Sequence, residues 1–184
     1  LDGKKVSTNE MGELVMRKSS IGLTKSLWND DKRYIDNYWS IIKDYWVHGD
    51  LASRDADGHW YLHGRSDDTI KVSGKRIGPS ELESVIVKSG KAKEVAAVGI
   101  PDENKGSKII LSIVPAENND QKESFFEDLV IKDLGKSFKP DKVIFVKDLP
   151  KTRNMKIMRR VIKSCLANQD PGDLSTLLNP ESVE

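Results

Sequence analysis

The sequence is poor in the residues that staple or metallate a fold. One cysteine, Cys165, stands among 184 residues, which excludes an internal disulfide framework or a thiolate metal cluster and suits a reducing cytosol. Three histidines, at positions 48, 59 and 63, have neither helical nor hairpin spacing that converges on an ion, so no bound metal is expected. No apolar run approaches the roughly 20 residues a membrane-spanning helix needs, and no charged-then-apolar leader opens the chain. Neither sign of charge dominates: 30 basic against 29 acidic residues leave +1, so any positive field has to be local. These absences point to a cytoplasmic protein without a membrane partner. The chain opens at Leu1 and reads as a piece of something longer.

With 37% hydrophobic and 32% charged residues, there is enough apolar material for a modest core. Residues 1–66 read as strands and turns: Gly12 to Arg17 is one strand. Leu51–Arg54 and His59–Leu62 flank a turn at Asp55-Ala56-Asp57-Gly58. Between the first strand and this hairpin, Asp30 or Asp31 caps a helix on which Tyr34, Ile35, Tyr38 and Trp39 recur, running to Ile42. This first part lacks a visible partner sheet, so its aromatics Trp28, Tyr34, Tyr38, Trp39, Tyr45 and Trp46 are expected to be exposed.

From Ile70 the pattern changes. Pro79 starts a helix that Gly90 stops, and Glu94–Ile100 and Lys108–Val114 have strand length and composition. Phe125 to Leu134 makes a second amphipathic helix ended by Gly135, and Lys142–Val146 a further strand. Ile157, Met158, Val161, Ile162, Cys165 and Leu166 form the apolar stripe of a last helix, with Cys165 expected in the core. The fold class is α+β: a small C-terminal sandwich of a short sheet with helices, preceded by a β-rich segment. The tail from Asp170 has no sustained period and is expected to be loosely held.

Two stretches concentrate candidate chemistry. Gly64-Arg65-Ser66-Asp67-Asp68 leads through Val72-Ser73-Gly74-Lys75-Arg76-Ile77-Gly78, a strand pair with Gly74 at its tip. On the residues alone, Arg65, Asp67 and Asp68 read as a solvated turn rather than as a site. Residues 151–163 hold six basic and no acidic residues, a local field suited to phosphates or acyl anions. A solvated helix face would produce the same pattern. Nucleic-acid binding is disfavoured, since no aromatic interleaves with these charges.

Together with Tyr45-Trp46-Val47-His48-Gly49-Asp50, Asp31-Lys32-Arg33-Tyr34 and the loop ending at Lys156, these blocks resemble the C-terminal portion of AMP-forming acyl-CoA synthetases. Within the adenylate-forming superfamily the likeness is greatest to the acetyl- and propionyl-CoA branch. It implies that residues 1–66 end a large AMP-binding domain, that 67–168 form the mobile C-terminal domain, and that 169–184 are a tail. It implies a two-step ligase: a short-chain carboxylic acid and ATP give acyl-AMP, and CoA then displaces AMP. By the same resemblance Asp50 and Arg65 contact the ribose, Asp67 is the hinge and Arg76 faces phosphates. Ser73 and Gly74 line the CoA tunnel, and Lys156 catalyses adenylation. Mg2+ would enter with ATP.

The sequence departs from this pattern at Met155, where glycine is usual, which puts a left-handed turn there in doubt. No Gly/Ser/Thr-rich phosphate loop ending in lysine is present, so the missing N-terminal domain is an implied partner and the chain alone is expected to be inactive. A non-catalytic nucleotide- or partner-binding module using the same small domain is the alternative.

Overall fold

The computed structural model describes residues 3–117 and 120–183. The chain divides after Asp67 into two compact units. In the first, strands β1 (Gly12–Met16), β2 (Trp46–Arg54) and β3 (Trp60–Arg65) form an antiparallel sheet in that order. The register sets Met16 opposite Trp46 and Asp50 opposite Arg65. Helix α1 (Asp31–Tyr38) starts where the Asp30 carboxylate accepts the Arg33 N–H at 3.1 Å. It stops at Tyr38 rather than Ile42, because Ile42 turns back to bridge Tyr45.

That helix gives the sheet a covering layer, which changes the fate of the aromatics. Tyr34 is buried, its hydroxyl donating to the Thr24 carbonyl at 2.6 Å. Trp46 is buried too and stacks on Tyr38, with ring centroids 5.3 Å apart. The expectation of exposure holds for Trp28, at 92% accessible, and fails for Tyr34 and Trp46.

The second unit opens with a hairpin of β4 (Ile70–Val72) and β5 (Lys75–Ile77), followed by α2 (Pro79–Lys88). Pro79 occupies the first turn of α2, where its missing N–H costs nothing, and the Glu81 carboxylate accepts the Gly78 N–H at 3.1 Å. Strands β6 (Ala92–Asp102), β7 (Gly106–Pro115) and β8 (Lys142–Phe145) make the main sheet, β6 antiparallel and β8 parallel to β7. Helix α3 (Glu123–Leu134) is the crossover between the parallel pair, and α4 (Arg159–Leu166) comes last.

Strand alternation builds two cores on this sheet. Val95 and Ala97 of β6 face Leu82, Ile86, Phe126 and Val130 of α2 and α3. Ala96 and Val98 face the other way, against Leu149 and Ile162. Each fully buried Leu, Ile or Phe stabilises the unit by about 1.5–3 kcal/mol relative to exposure. The fold is thus α+β, a short sheet sandwiched between helices and preceded by a β-rich unit.

Two details of the last helix differ from the sequence reading. Ile157 and Met158 precede α4, Ile157 forming a bridge to Lys151 instead of a helical turn. Cys165 is exposed, not core, because Val161 and Ile162 alone are buried on so short a helix.

Candidate functional site

In the first unit, three predicted residues meet. Asp50 on β2 and Arg65 on β3 are cross-strand partners, with Arg65 Nη1 3.7 Å from Asp50 Oδ1. Arg65 Nε and Nη2 also donate to the Asp67 carboxylate at 3.0 and 3.3 Å, and Nη1 donates to the His48 carbonyl at 3.2 Å. His48 adds a contact that the sequence reading did not assign: its Nδ1 lies 2.7 Å from Asp50 Oδ2. The imidazole ring in turn stands edge-on to Trp46, centroids 5.5 Å apart. Gly49 makes room for this arrangement. It has φ +84°, and a Cβ there would meet the Arg65 guanidinium at 2.8 Å. Asp50 is therefore a carboxylate held at both oxygens, four-fifths buried, with lone pairs still available to accept hydroxyl donors.

In the second unit, Ser73 and Gly74 are the two turn residues of the β4–β5 hairpin, with φ +49° and +81°. Both being left-handed fits a primed two-residue turn. What asks for glycine at 74 is this conformation: an added Cβ would have nothing within 4 Å. The Ser73 N–H donates to the Lys105 carbonyl at 2.8 Å, so the β6–β7 turn braces the hairpin tip. Arg76 is exposed on β5, opposite Lys71.

Lys156 sits on a separate loop before α4. The Thr152 N–H donates to the Lys156 carbonyl at 2.9 Å, the Met155 N–H to the Thr152 carbonyl at 2.8 Å, and the Lys156 N–H to Thr152 Oγ1 at 3.2 Å. The side chains of Arg153, Met155 and Lys156 are exposed at its tip. Met155 has φ +60°: the left-handed turn is kept although the residue is not glycine.

The base of this loop is charged. Lys151 is buried at 6% exposure, its Nζ donating to Asp148 Oδ1 at 2.7 Å and Glu94 Oε1 at 3.0 Å. Burial alone lowers the Lys151 pKa, but the hydrogen bonds to Asp148 and Glu94 outweigh it and hold the group above the ordinary lysine value. The same ammonium holds the Asp148 carboxyl below its usual range.

The tail docks here. Asn179, itself buried, accepts the Lys151 N–H at 3.0 Å and donates to Asp148 Oδ2 at 2.7 Å and the Leu149 carbonyl at 2.8 Å. The tail is thus pinned where loose attachment was expected. Arg160 donates to the carbonyls of Pro171 and Asp173, and Arg159 makes a bidentate pair with Glu83. Lys151, Arg159 and Arg160, half of the basic stretch, are engaged internally, while the side chains of Arg153, Lys156 and Lys163 are exposed.

The β2–β3 turn also brings Asp55, Asp57 and His59 together, ligand atoms within 4.8 Å, a proximity that histidine spacing did not reveal. The Asp55 carboxylate already accepts the His59 N–H at 2.8 Å and the Tyr61 hydroxyl at 3.0 Å, which accounts for the cluster as a turn.

Known proteins give this geometry a family. Residues 81–156 match the AMP-binding enzyme C-terminal domain, a match that ends on Lys156. Among solved structures, the anthranilate CoA ligase AuaEII, in complex with anthranoyl-AMP, superposes with a TM-score of 0.75 at 29% identity, over 90% of this chain and 32% of its own. Acetoacetyl-CoA synthetase from Streptomyces lividans shares the fold with a TM-score of 0.85 over 97% of this chain and 28% of its own, at 23% identity. The chain is homologous to the C-terminal region of enzymes of the adenylate-forming superfamily.

Within that superfamily it is homologous, over its whole length, to acetyl-coenzyme A synthetases. The protein of Methanothrix thermoacetophila is 40% identical over 190 residues, and that of Methanothrix soehngenii 38% over 192. Each alignment covers 100% of this chain and 29% of the relative, so the chain spans less than a third of the length of the enzymes it matches.

Proposed function

We propose that this chain serves as the C-terminal part of an AMP-forming ligase that activates a short-chain carboxylic acid with ATP and passes the acyl group to CoA. The observation that carries the reading is the homology to acetyl-coenzyme A synthetases through the whole chain. The anthranoyl-AMP in the AuaEII structure supports an acyl-adenylate intermediate for the fold.

On this reading Asp50 accepts both vicinal hydroxyls of the AMP ribose, its orientation kept by His48 and Arg65. Lys156 offers a mobile ammonium to the attacking carboxylate and the α-phosphate, offsetting charge that develops in the transition state. Such contacts are worth about 3–4 kcal/mol in other enzymes. Arg76 faces the phosphates, and the Ser73-Gly74 tip lines the path of the CoA pantetheine. Asp67, at the boundary of the two units, absorbs the rotation that exchanges the two half-reactions. Mg2+ enters as part of the MgATP substrate, carried chiefly by its phosphates.

The test is an acid-dependent exchange of labelled pyrophosphate into ATP by the full-length protein, run over a panel of carboxylic acids, followed by CoA addition. Exchange with short-chain acids and thioester formation on adding CoA are expected. Nucleotide binding without exchange for any acid would instead favour a non-catalytic module.

A further inference from the structure

The Lys156 loop hangs from segment 150–152, which two single β-bridges hold, one to the loop's returning arm and one to the tail. The segment is bonded on one side to the returning arm of the loop: Lys151 bridges Ile157, and the Met158 N–H donates to the Pro150 carbonyl at 2.8 Å. On its other side the tail adds a second bridge. Thr152 bridges Leu177, and the Leu178 N–H donates to the Lys151 carbonyl at 2.8 Å. Asn179 closes the join with three hydrogen bonds to Lys151, Asp148 and Leu149. A buried asparagine with both ends of its amide bonded fixes its neighbours far better than a solvated contact does.

We propose that Asn179 is a positioning residue for Lys156, acting through Lys151 and Thr152, so that the C-terminal tail sets the geometry of the adenylating loop. The proposal rests on the assignment of Lys156 to adenylation. The physical argument is one of edges. Thr152 supplies both the N–H and the hydroxyl that close the loop onto Lys156, and its segment is held from the tail side as well as the loop side. Without Asn179 the tail detaches, the carboxylate of Asp148 loses a donor, and segment 150–152 is bonded on the loop side alone. The loop then opens more often, and the Lys156 ammonium is spread over more positions than the reaction can use.

The test has two arms. In the 184-residue chain, amide hydrogen exchange is compared for wild type, Asn179→Ala and Leu178→Pro. The second variant deletes one tail N–H at an exposed position and leaves the core untouched. Exchange at Thr152 and Met155 should rise about tenfold or more in both variants, while Ile109, Leu111 and Ile113 of β7 keep their protection.

In the full-length protein, Asn179→Ala should slow acid-dependent pyrophosphate exchange about tenfold and leave thioester formation from supplied acyl-AMP unchanged. Unaltered exchange at Thr152 and Met155 would overturn the clamp, as would equal loss in both half-reactions. Lys156→Ala, run beside it, separates the two ideas. If that variant fails to split the half-reactions, the role of Lys156 is wrong, whereas the exchange arm still decides whether the tail holds the loop.

Discussion

Replacing Met155 by glycine should stabilise the second unit, an unusual direction for a glycine substitution. Met155 holds φ +60° at the tip of the Lys156 loop, with its side chain 60% exposed, so little buried contact is lost on truncation. An L-residue in the left-handed region costs about 1–2 kcal/mol. Glycine removes that cost and adds about 0.4–1 kcal/mol of unfolded-chain entropy. The difference favours glycine by about 0.5–1 kcal/mol, a rise of about 0.3–0.5 M in the urea midpoint at a typical slope. Helical circular dichroism is the right probe, since three of the four α-helices among the described residues lie after Asp67. All four tryptophans and all four tyrosines precede Asp68, so their emission reports the first unit and should not move. Met155→Ala, which keeps a Cβ at the same φ, should stay near wild type. A lower midpoint for Met155→Gly than for Met155→Ala would refute the left-handed assignment.

Gly49→Ala should destabilise the first unit by about 1–2 kcal/mol through its positive φ alone, read as a lower urea midpoint in tryptophan emission. It should also weaken AMP binding in the full-length protein, because the new Cβ displaces the Arg65 guanidinium. Asp67→Pro should slow steady-state turnover by pinning φ at the proposed hinge; unchanged turnover would count against a hinge there. The tail clamp should also have a pH window. Asp148 has a folded pKa below its ordinary 3.8, so its contribution is complete above that value and is lost as pH falls through the lower folded one. Lys151 has a folded pKa above its ordinary 10.5, so its contribution is complete below 10.5 and is lost as pH rises through the higher folded value. Protection at the Leu178 amide, corrected for intrinsic exchange, should therefore be flat between those limits and fall outside them.

The elements that sequence periodicity located were those with local punctuation. Pro79 and Gly90 bracket α2, Gly135 ends α3 at φ +93°, and Asp30 caps α1. The fold's long-range pairings left weaker marks. Nothing local distinguishes a strand that will lie parallel to β7, as β8 does, from one that will form a hairpin. Tyr34 and Trp46 looked exposed because the sheet beside them pairs residues 30 to 40 positions apart in sequence, Gly12–Met16 with Trp46–Arg54. The tail lacks periodicity because it is held by single side-chain and backbone bonds of Asn179 and Leu178, which no apolar pattern announces. At the site, Asp50 and Arg65 were readable as residue types. The contact of His48 with Asp50 was not, because it depends on the positive φ that Gly49 takes within β2. Lys151 and Arg159 looked like members of a solvated basic run, and their carboxylate partners, Glu94 and Glu83, lie 57 and 76 positions away.

Measuring the two half-reactions of Lys156→Ala in the full-length protein bears most directly on the central claim, that this chain supplies the adenylating lysine of an acyl-CoA synthetase. Acid-dependent pyrophosphate exchange should fall by about two to three orders of magnitude, the value of one such electrostatic contact. Thioester formation from supplied acyl-AMP and CoA should stay near the wild-type rate. Undiminished pyrophosphate exchange, or equal losses in both steps, would contradict the account.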